Sequence, residues 1–259
     1  MIPVIIPYYR QKDQLDKCIA NLKNQAIELE ISIQSNNDIN IYFTAAINEG
    51  IKKYLGRSCK YILIVNQDMY LESEAVEKMV TFMDSHPDCG IGAPLQIDIK
   101  DTEYVISAGG QEAFPYGKNR YGRLSDFTED EEIHWANGAC MMLRKEMIQE
   151  IGLLDENYAF IGSDSDYCFT ARARGWQVWR IAKARGIHEH GASVKLSEMR
   201  IEFLKIKDMI YFSDKWLTGN LYKNLAYEGK ELGLEEIDRI VSNLRRSKSE
   251  FELLSSLSF

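Results

Sequence analysis

Five consecutive apolar residues, Tyr61-Ile62-Leu63-Ile64-Val65, leave this chain few folds to choose from. A run that short and uninterrupted reads as a strand buried on both faces. Comparable segments precede it, from Ile2 to Pro7 and from Glu30 to Ile33. Helical spacings fall between and after them: Leu15, Ile19, Leu22 and Ala26; Phe43 to Tyr54; then Val76, Met79, Val80 and Met83, ending before Pro87. Strands alternating with helices of about 10–15 residues predict a parallel sheet covered by helices on both faces. Ligands of such sheets sit beyond the carboxyl ends of the strands, so the residues just after Val65 are the first place to look for chemistry.

Between Gly90 and His134 the pattern weakens, and loops with a few antiparallel strands are expected there. Met147, Ile148 and Ile151 mark a short helix ending at Gly152, and Tyr167 to Arg174 another ending at Gly175. Gln177 to Ile181 reads as a strand. Beyond Ser193 the chain turns helical, with Leu196, Met199, Phe203, Ile206 and Ile210 at spacings of three and four, then Ile237, Ile240, Val241 and Leu244.

Composition narrows the function. At 259 residues the chain suits one large domain or two small ones, and 45% hydrophobic with 27% charged residues is globular. A net charge of -8 argues against broad nucleic-acid binding, which needs a basic surface. No apolar run approaches the roughly 18 residues of a membrane span. The five cysteines are scattered without a C-x-x-C pair, which predicts free thiols in a reducing compartment. The first residues lack a basic stretch and a small-residue cleavage site, so a cytoplasmic location is expected. No G-x-G-x-x-G, Walker-type phosphate loop, G-x-S-x-G elbow or H-E-x-x-H helix occurs.

Three polar clusters remain. Asn66-Gln67-Asp68 follows the strongest strand, where a carboxylate suits Mg²⁺ or Mn²⁺ beside a phosphate, or simply the start of a turn. Gly162-Ser163-Asp164-Ser165-Asp166 opens a helix, and serines and aspartates there also serve as ordinary caps. His188-Glu189-His190 follows a strand; if that strand continues, both histidines face one side, which suits a metal or diphosphate as well as a structural role.

In order along the chain, these clusters resemble family 2 glycosyltransferases. Ile5-Ile6-Pro7-Tyr8-Tyr9-Arg10 is similar to the family's V-I-P-x-Y-N-R opening. Asn40, Phe43, Ala46, Asn48 and Gly50 fit N-x-G-F-x-x-A-x-N-x-G, with Tyr42 in place of the first glycine. Tyr61 to Leu71 resembles the strand bearing the D-x-D signature, and Gly138 to Arg144 the acceptor-side strand. Gly152 to Glu156, then Phe160 to Trp176, resemble G-G-F-D-E and the E-D-x-D-x-x-x-R segment. The sequence departs from the family at three places. Ser35-Asn36 stands where a carboxylate-bearing loop is usual, Asn66 replaces the first acid of D-x-D, and Ser163 replaces the Glu of the E-D pair.

The resemblance implies an α/β, GT-A type fold over residues 1–195, Rossmann-like with a mostly parallel sheet and flanking helices. Residues 1–100 would bind the nucleotide-sugar and 101–195 the acceptor, and 196–259 would form a helical C-terminal extension. It implies an inverting hexosyl- or deoxyhexosyltransferase with Asp164 as general base. Pro7, Tyr8, Tyr9, Arg10, Ser35, Asn36, Asn48, Asn66, Gln67 and Asp68 are the expected donor residues, and Trp135, Asn137, Gly138 and Asp166 the acceptor residues. Asp68, His188 and His190 would hold Mg²⁺ or Mn²⁺. The implied partners are a UDP-, dTDP- or GDP-sugar and a glycan or lipid-linked acceptor. The alternative is a non-catalytic member that binds glycan, motivated by the missing acids. The tail's spacing suits a homodimer seam, an acceptor lid or plain packing, and Arg245, Arg246 and Lys248 suit peripheral contact with an anionic membrane.

Overall fold

The computed structural model describes residues 1–110, 119–189 and 198–216, with 242–243, 245–246, 248–250 and 252–253 of the tail. Its strands are β1 (Ile2–Tyr8), β2 (Leu29–Ser35), β3 (Tyr61–Val65), β4 (Met69–Leu71), β5 (Cys89–Asp98), β6 (Tyr104–Ser107), β7 (Gly122–Arg123), β8 (Glu131–Glu132), β9 (Cys140–Arg144) and β10 (Gln177–His188). The α-helices are α1 (Lys12–Lys23), α2 (Tyr42–Lys52), α3 (Ala75–Ser85), α4 (Lys145–Ile151), α5 (Ser163–Arg172) and α6 (Glu198–Trp216).

The main path through the sheet runs β2-β1-β3-β9-β5-β10-β4. Alternation along the strands sends their apolar side chains into two cores. Ile5, Ile62, Ile64, Met141 and Leu143 join a cluster with residues of α2, α4, α5 and α6. Val4, Ile6, Leu63, Val65 and Met142 point the other way, against α1 and α3. Burial on both faces is why these strands read as unbroken apolar runs.

The sheet is mixed. β1 pairs in parallel with β2 and β3, and β5 with β10, but β9 runs antiparallel to both of its neighbours, β3 and β5. β5 is the main departure from the sequence reading, which put loops and short antiparallel strands there. Its Gly90, Gly92 and Pro94 resemble turn residues, yet the glycines answer a packing need. A Cβ on Gly90 would lie 2.5 Å from the Met147 sulfur, and one on Gly92 3.0 Å from Ile181. Pro94 pairs with Ile181 beside an irregularity in β10, a position where a missing N–H is tolerated. Past that irregularity β10 continues to His188, beyond the Ile181 boundary read from the sequence.

Helix α6 is built into the fold. Ile201, Ile210, Phe212 and Trp216 are buried, the last two in the α2/α4/α5 core, while Phe203 and Ile206 of the proposed seam are half-buried. Leu196, Ile237, Ile240, Val241 and Leu244 lie outside the described residues, as does His190. Arg245 pairs with Asp214, Arg246 with Glu250 and Lys248 with Glu252, so each of these three cations already faces a carboxylate. No helix among the described residues is long and apolar enough to cross a membrane. All five cysteines are free thiols.

Candidate active site

One cavity of about 380 Å³ opens at the carboxyl ends of β1 and β3 and reaches the start of α5. Pro7 and Tyr9, from the end of β1, form part of its wall. Behind Tyr9 the chain turns sharply, with Arg10 and Gln11 at φ 57° and 26°. The Tyr9 N–H donates to Gln67 Oε1 at 2.8 Å, tying this turn to the end of β3. Arg10 is exposed; its N–H donates to Asn37 Oδ1 at 2.7 Å and its guanidinium lies 4.8 Å from the Tyr9 ring centre. Asn36 reaches the wall, whereas Ser35 stays outside and accepts only a long bond from Asn37 N–H. Tyr8 packs towards the α1/α3 core.

Asn66, Gln67 and Asp68 turn from β3 into β4 and line the cavity floor. Asn66 N–H donates to Ala139 O at 2.8 Å, and the Asp68 carbonyl accepts Glu189 N–H at 2.9 Å. These bonds bring β3, β9 and β10 together at one point. Gly186 allows the approach of β4, since a Cβ there would sit 2.5 Å from Met69 Cε. His188 consequently places Nε2 3.5 Å from Asp68 Oδ1 and Nδ1 3.0 Å from Gln96 Oε1. Asn66 keeps its side-chain oxygen buried with no hydrogen-bond partner among the described residues.

Across the cavity stand Trp135, Asn137 and Gly138. Trp135 packs closely against the chain at Gly110, where an added Cβ would be 1.9 Å from its ring nitrogen. Gly138 faces α5: its N–H donates to Asp164 Oδ2 at 2.7 Å, and a Cβ would come within 3.1 Å of the Asp164 Cβ. Gly162, at φ 84°, turns the chain into α5 in a conformation that suits glycine. Asp164 Oδ1 accepts the Ser165 N–H at 2.8 Å. The carboxylate is open to the cavity but lies deep in the protein, and desolvation raises its pKa against the opposing pull of the Gly138 and Ser165 N–H groups.

Like Tyr8, Arg10, Ser35 and His188, the expected site residues Asn48 and Asp166 are not on the wall. Asn48 is buried, donating to Leu154 O at 2.8 Å and accepting Leu154 N–H at 3.0 Å, and so joins α2 to the loop after α4. Asp166 is 1% exposed and accepts from Trp216 Nε1 at 2.6 Å, Tyr158 Oη at 3.0 Å and Lys215 at 2.8 Å. Both are structural links. A further link escaped the sequence reading altogether: buried Asp208 of α6 accepts the N–H groups of Ala159, Phe160 and Ile161. That carboxylate fixes the turn whose Phe160, Ile161 and Gly162 complete the wall. Tyr42 also lines the cavity, in a left-handed backbone conformation at φ 63°.

The glycosyl transferase family 2 model matches residues 35–152, a stretch carrying Asn36, Asp68, Asn137 and Gly138. The match covers that segment, under half of the chain. The O-antigen biosynthesis protein RfbC of Myxococcus xanthus is 24% identical over 176 residues, 64% of this chain, which spans 13% of the length of that relative. A structure of GalNAc-T7 with UDP, GalNAc and Mn²⁺ superposes with a TM-score of 0.58 at 10% identity, covering 95% of this chain and 55% of that one. S. aureus TarS residues 1–349 with UDP-GlcNAc gives 0.56 at 13% identity, covering 94% and 71%. At such identities the likeness establishes the fold, which is GT-A and extends past the family 2 segment to Asp164 and His188.

Proposed function

We propose that this chain transfers a sugar, with inversion, from a nucleotide-diphosphate donor to a hydroxyl of a glycan or lipid-linked acceptor. The observation that carries this reading is that one cavity holds both Asp68 and Asp164 on its wall. The UDP of the GalNAc-T7 structure and the UDP-GlcNAc of the TarS structure support a UDP-type donor, and the RfbC relative supports a polysaccharide acceptor. Tyr9, Asn36 and Tyr42 offer aromatic faces and an amide for the nucleoside, in place of the carboxylate usual in the family.

The donor set fits a divalent cation shared with phosphates. Among the described residues no three His, Cys, Asp or Glu side chains cluster to hold a metal alone. Asp68 and His188 nevertheless stand 3.5 Å apart, and the buried Asn66 oxygen lacks a partner among the described residues. These three would hold Mg²⁺ or Mn²⁺, with diphosphate oxygens completing the shell. When bound, the cation neutralises charge growing on the departing diphosphate. Asp164 takes the proton of the attacking acceptor hydroxyl. Burial strengthens it as a base, and the Gly138 and Ser165 N–H groups hold its plane. Trp135 supplies an apolar face for an acceptor sugar.

Calorimetry tests this reading. Mn²⁺ alone should bind weakly, and a nucleoside diphosphate should tighten it by about tenfold or more, within the usual range of coupling between sites. Asp68→Ala should abolish that coupling. Tight Mn²⁺ binding that survives Asp68→Ala contradicts it.

A further inference from the structure

Gln96 lies near the end of β5, 1% exposed and surrounded by sheet. Burying an amide there is costly unless each polar atom finds a partner. In the parallel pairing of β5 and β10, Gln96 stands opposite Gly186 and Asp98 opposite His188. Gln96 and His188 are therefore diagonal neighbours across the ladder. Its Oε1 is 3.0 Å from His188 Nδ1, and its Nε2 lies 3.3 Å from Asn137 Oδ1 and 3.4 Å from Asn137 O.

The direction of every bond in this chain follows from one backbone group. The Ala139 N–H can only donate, and it points at the Asn137 side chain at 2.9 Å. The Asn137 atom it meets is therefore the carbonyl oxygen. An oxygen needs a donor from Gln96, so the amide nitrogen of Gln96 faces Asn137 and its oxygen faces His188. Nδ1 of His188 must then carry the hydrogen. In the neutral ring this leaves the Nε2 lone pair directed at Asp68, as a metal ligand requires.

We infer that Gln96 is a positioning residue that fixes the His188 tautomer and ties it to Asn137 on the acceptor wall. The inference rests on the proposed cation pole for its purpose, though not for its geometry. Without Gln96, the neutral ring is free to place its proton on Nε2 and donate to Asp68, closing the two groups on each other. With Gln96 in place, the donor pole and the acceptor wall are held by one side chain.

The test reads the ring directly. The chain has four histidines, so ¹⁵N-histidine labelling gives a simple spectrum in which His188→Gln identifies the resonance. In the metal-free wild type, the neutral His188 ring should show protonated Nδ1 and unprotonated Nε2. Gln96→Met should shift the population towards Nε2–H and weaken Mn²⁺ binding in the presence of nucleoside diphosphate by roughly 10–100-fold, the usual loss for a residue behind a ligand. Gln96→Glu still accepts from Nδ1 but cannot donate to Asn137, so it should keep Nδ1 protonated while losing the tie to the Asn137 oxygens. Protonated Nε2 in the wild type overturns the inference, even if Gln96→Met fails to fold. So does a folded Gln96→Met protein with unchanged tautomer and Mn²⁺ affinity. The predicted tautomer in a protein that takes no nucleoside diphosphate upholds the Gln96 assignment and removes the glycosyltransferase reading instead.

Discussion

Asp164→Asn is expected to lower sugar transfer by about 10²–10⁴-fold, the range of general acid–base catalysis. The amide keeps the size of the carboxylate and one acceptor for the Gly138 or Ser165 N–H, but it cannot take a proton. Donor binding should persist, because Asp68, Gln67 and Tyr9 are untouched. The pH dependence adds a second signature. Desolvation raises the Asp164 pKa, so the base is lost as pH falls through a value above the ordinary carboxylate range. The acid limb of the rate profile should lie correspondingly high, and the residual activity of the Asn variant should lack it. The folded protein also holds this proton more tightly than the unfolded chain. The carboxyl therefore favours folding at acid pH, and that contribution is lost as pH rises through the raised value. Removing its charge offsets the lost hydrogen bond at neutral pH, so the melting temperature should change little. A variant with near wild-type transfer, measured by product formation, removes Asp164 from the role.

Asp166→Ala should be far more damaging to the fold. This carboxylate is almost fully buried and gathers Lys215, Trp216 and Tyr158 onto the first turn of α5. Removing it leaves the Lys215 charge, the indole N–H and the tyrosine hydroxyl facing an empty space. Breaking one side of a buried ion pair costs about 3–5 kcal/mol. For a domain of this size that corresponds to a fall of roughly 6–20 °C in melting temperature, read by calorimetry. Asp155 also accepts from Lys215, at 3.2 Å, and supplies only partial compensation because it is more exposed. A fall of less than about 2 °C contradicts the account of Asp166 as the anchor between α5 and α6.

The parts of the fold legible in the sequence are those where burial leaves a pattern. β1 and β3 announce themselves as apolar runs, and α2 and α3 as helical spacings. β5 was hidden because its glycines and proline, chosen for close packing, carry the composition of a turn. In the site, Asp68 and Asp164 were legible because strand ends and helix starts are where chemistry collects. Asn48 and Asp166 were legible as conspicuous polar residues, yet their partners lie 106 and 50 positions away, at Leu154 and Trp216, and no spacing rule reports such contacts. Gln96 and Asp208 gave no signal at all. Gln96 sits in a mostly apolar strand and Asp208 among the charges of a helix, and only the three-dimensional structure reveals the N–H groups, amide and imidazole that justify their burial.

The most direct test of the glycosyltransferase reading is to incubate the wild-type protein and Mn²⁺ with a panel of nucleotide-sugars and follow each donor by proton NMR. One class of donor should slowly release its nucleoside diphosphate, with the freed sugar appearing first as the anomer opposite to that of the donor. Neither binding nor release for any donor, from a protein that retains its melting transition, contradicts it.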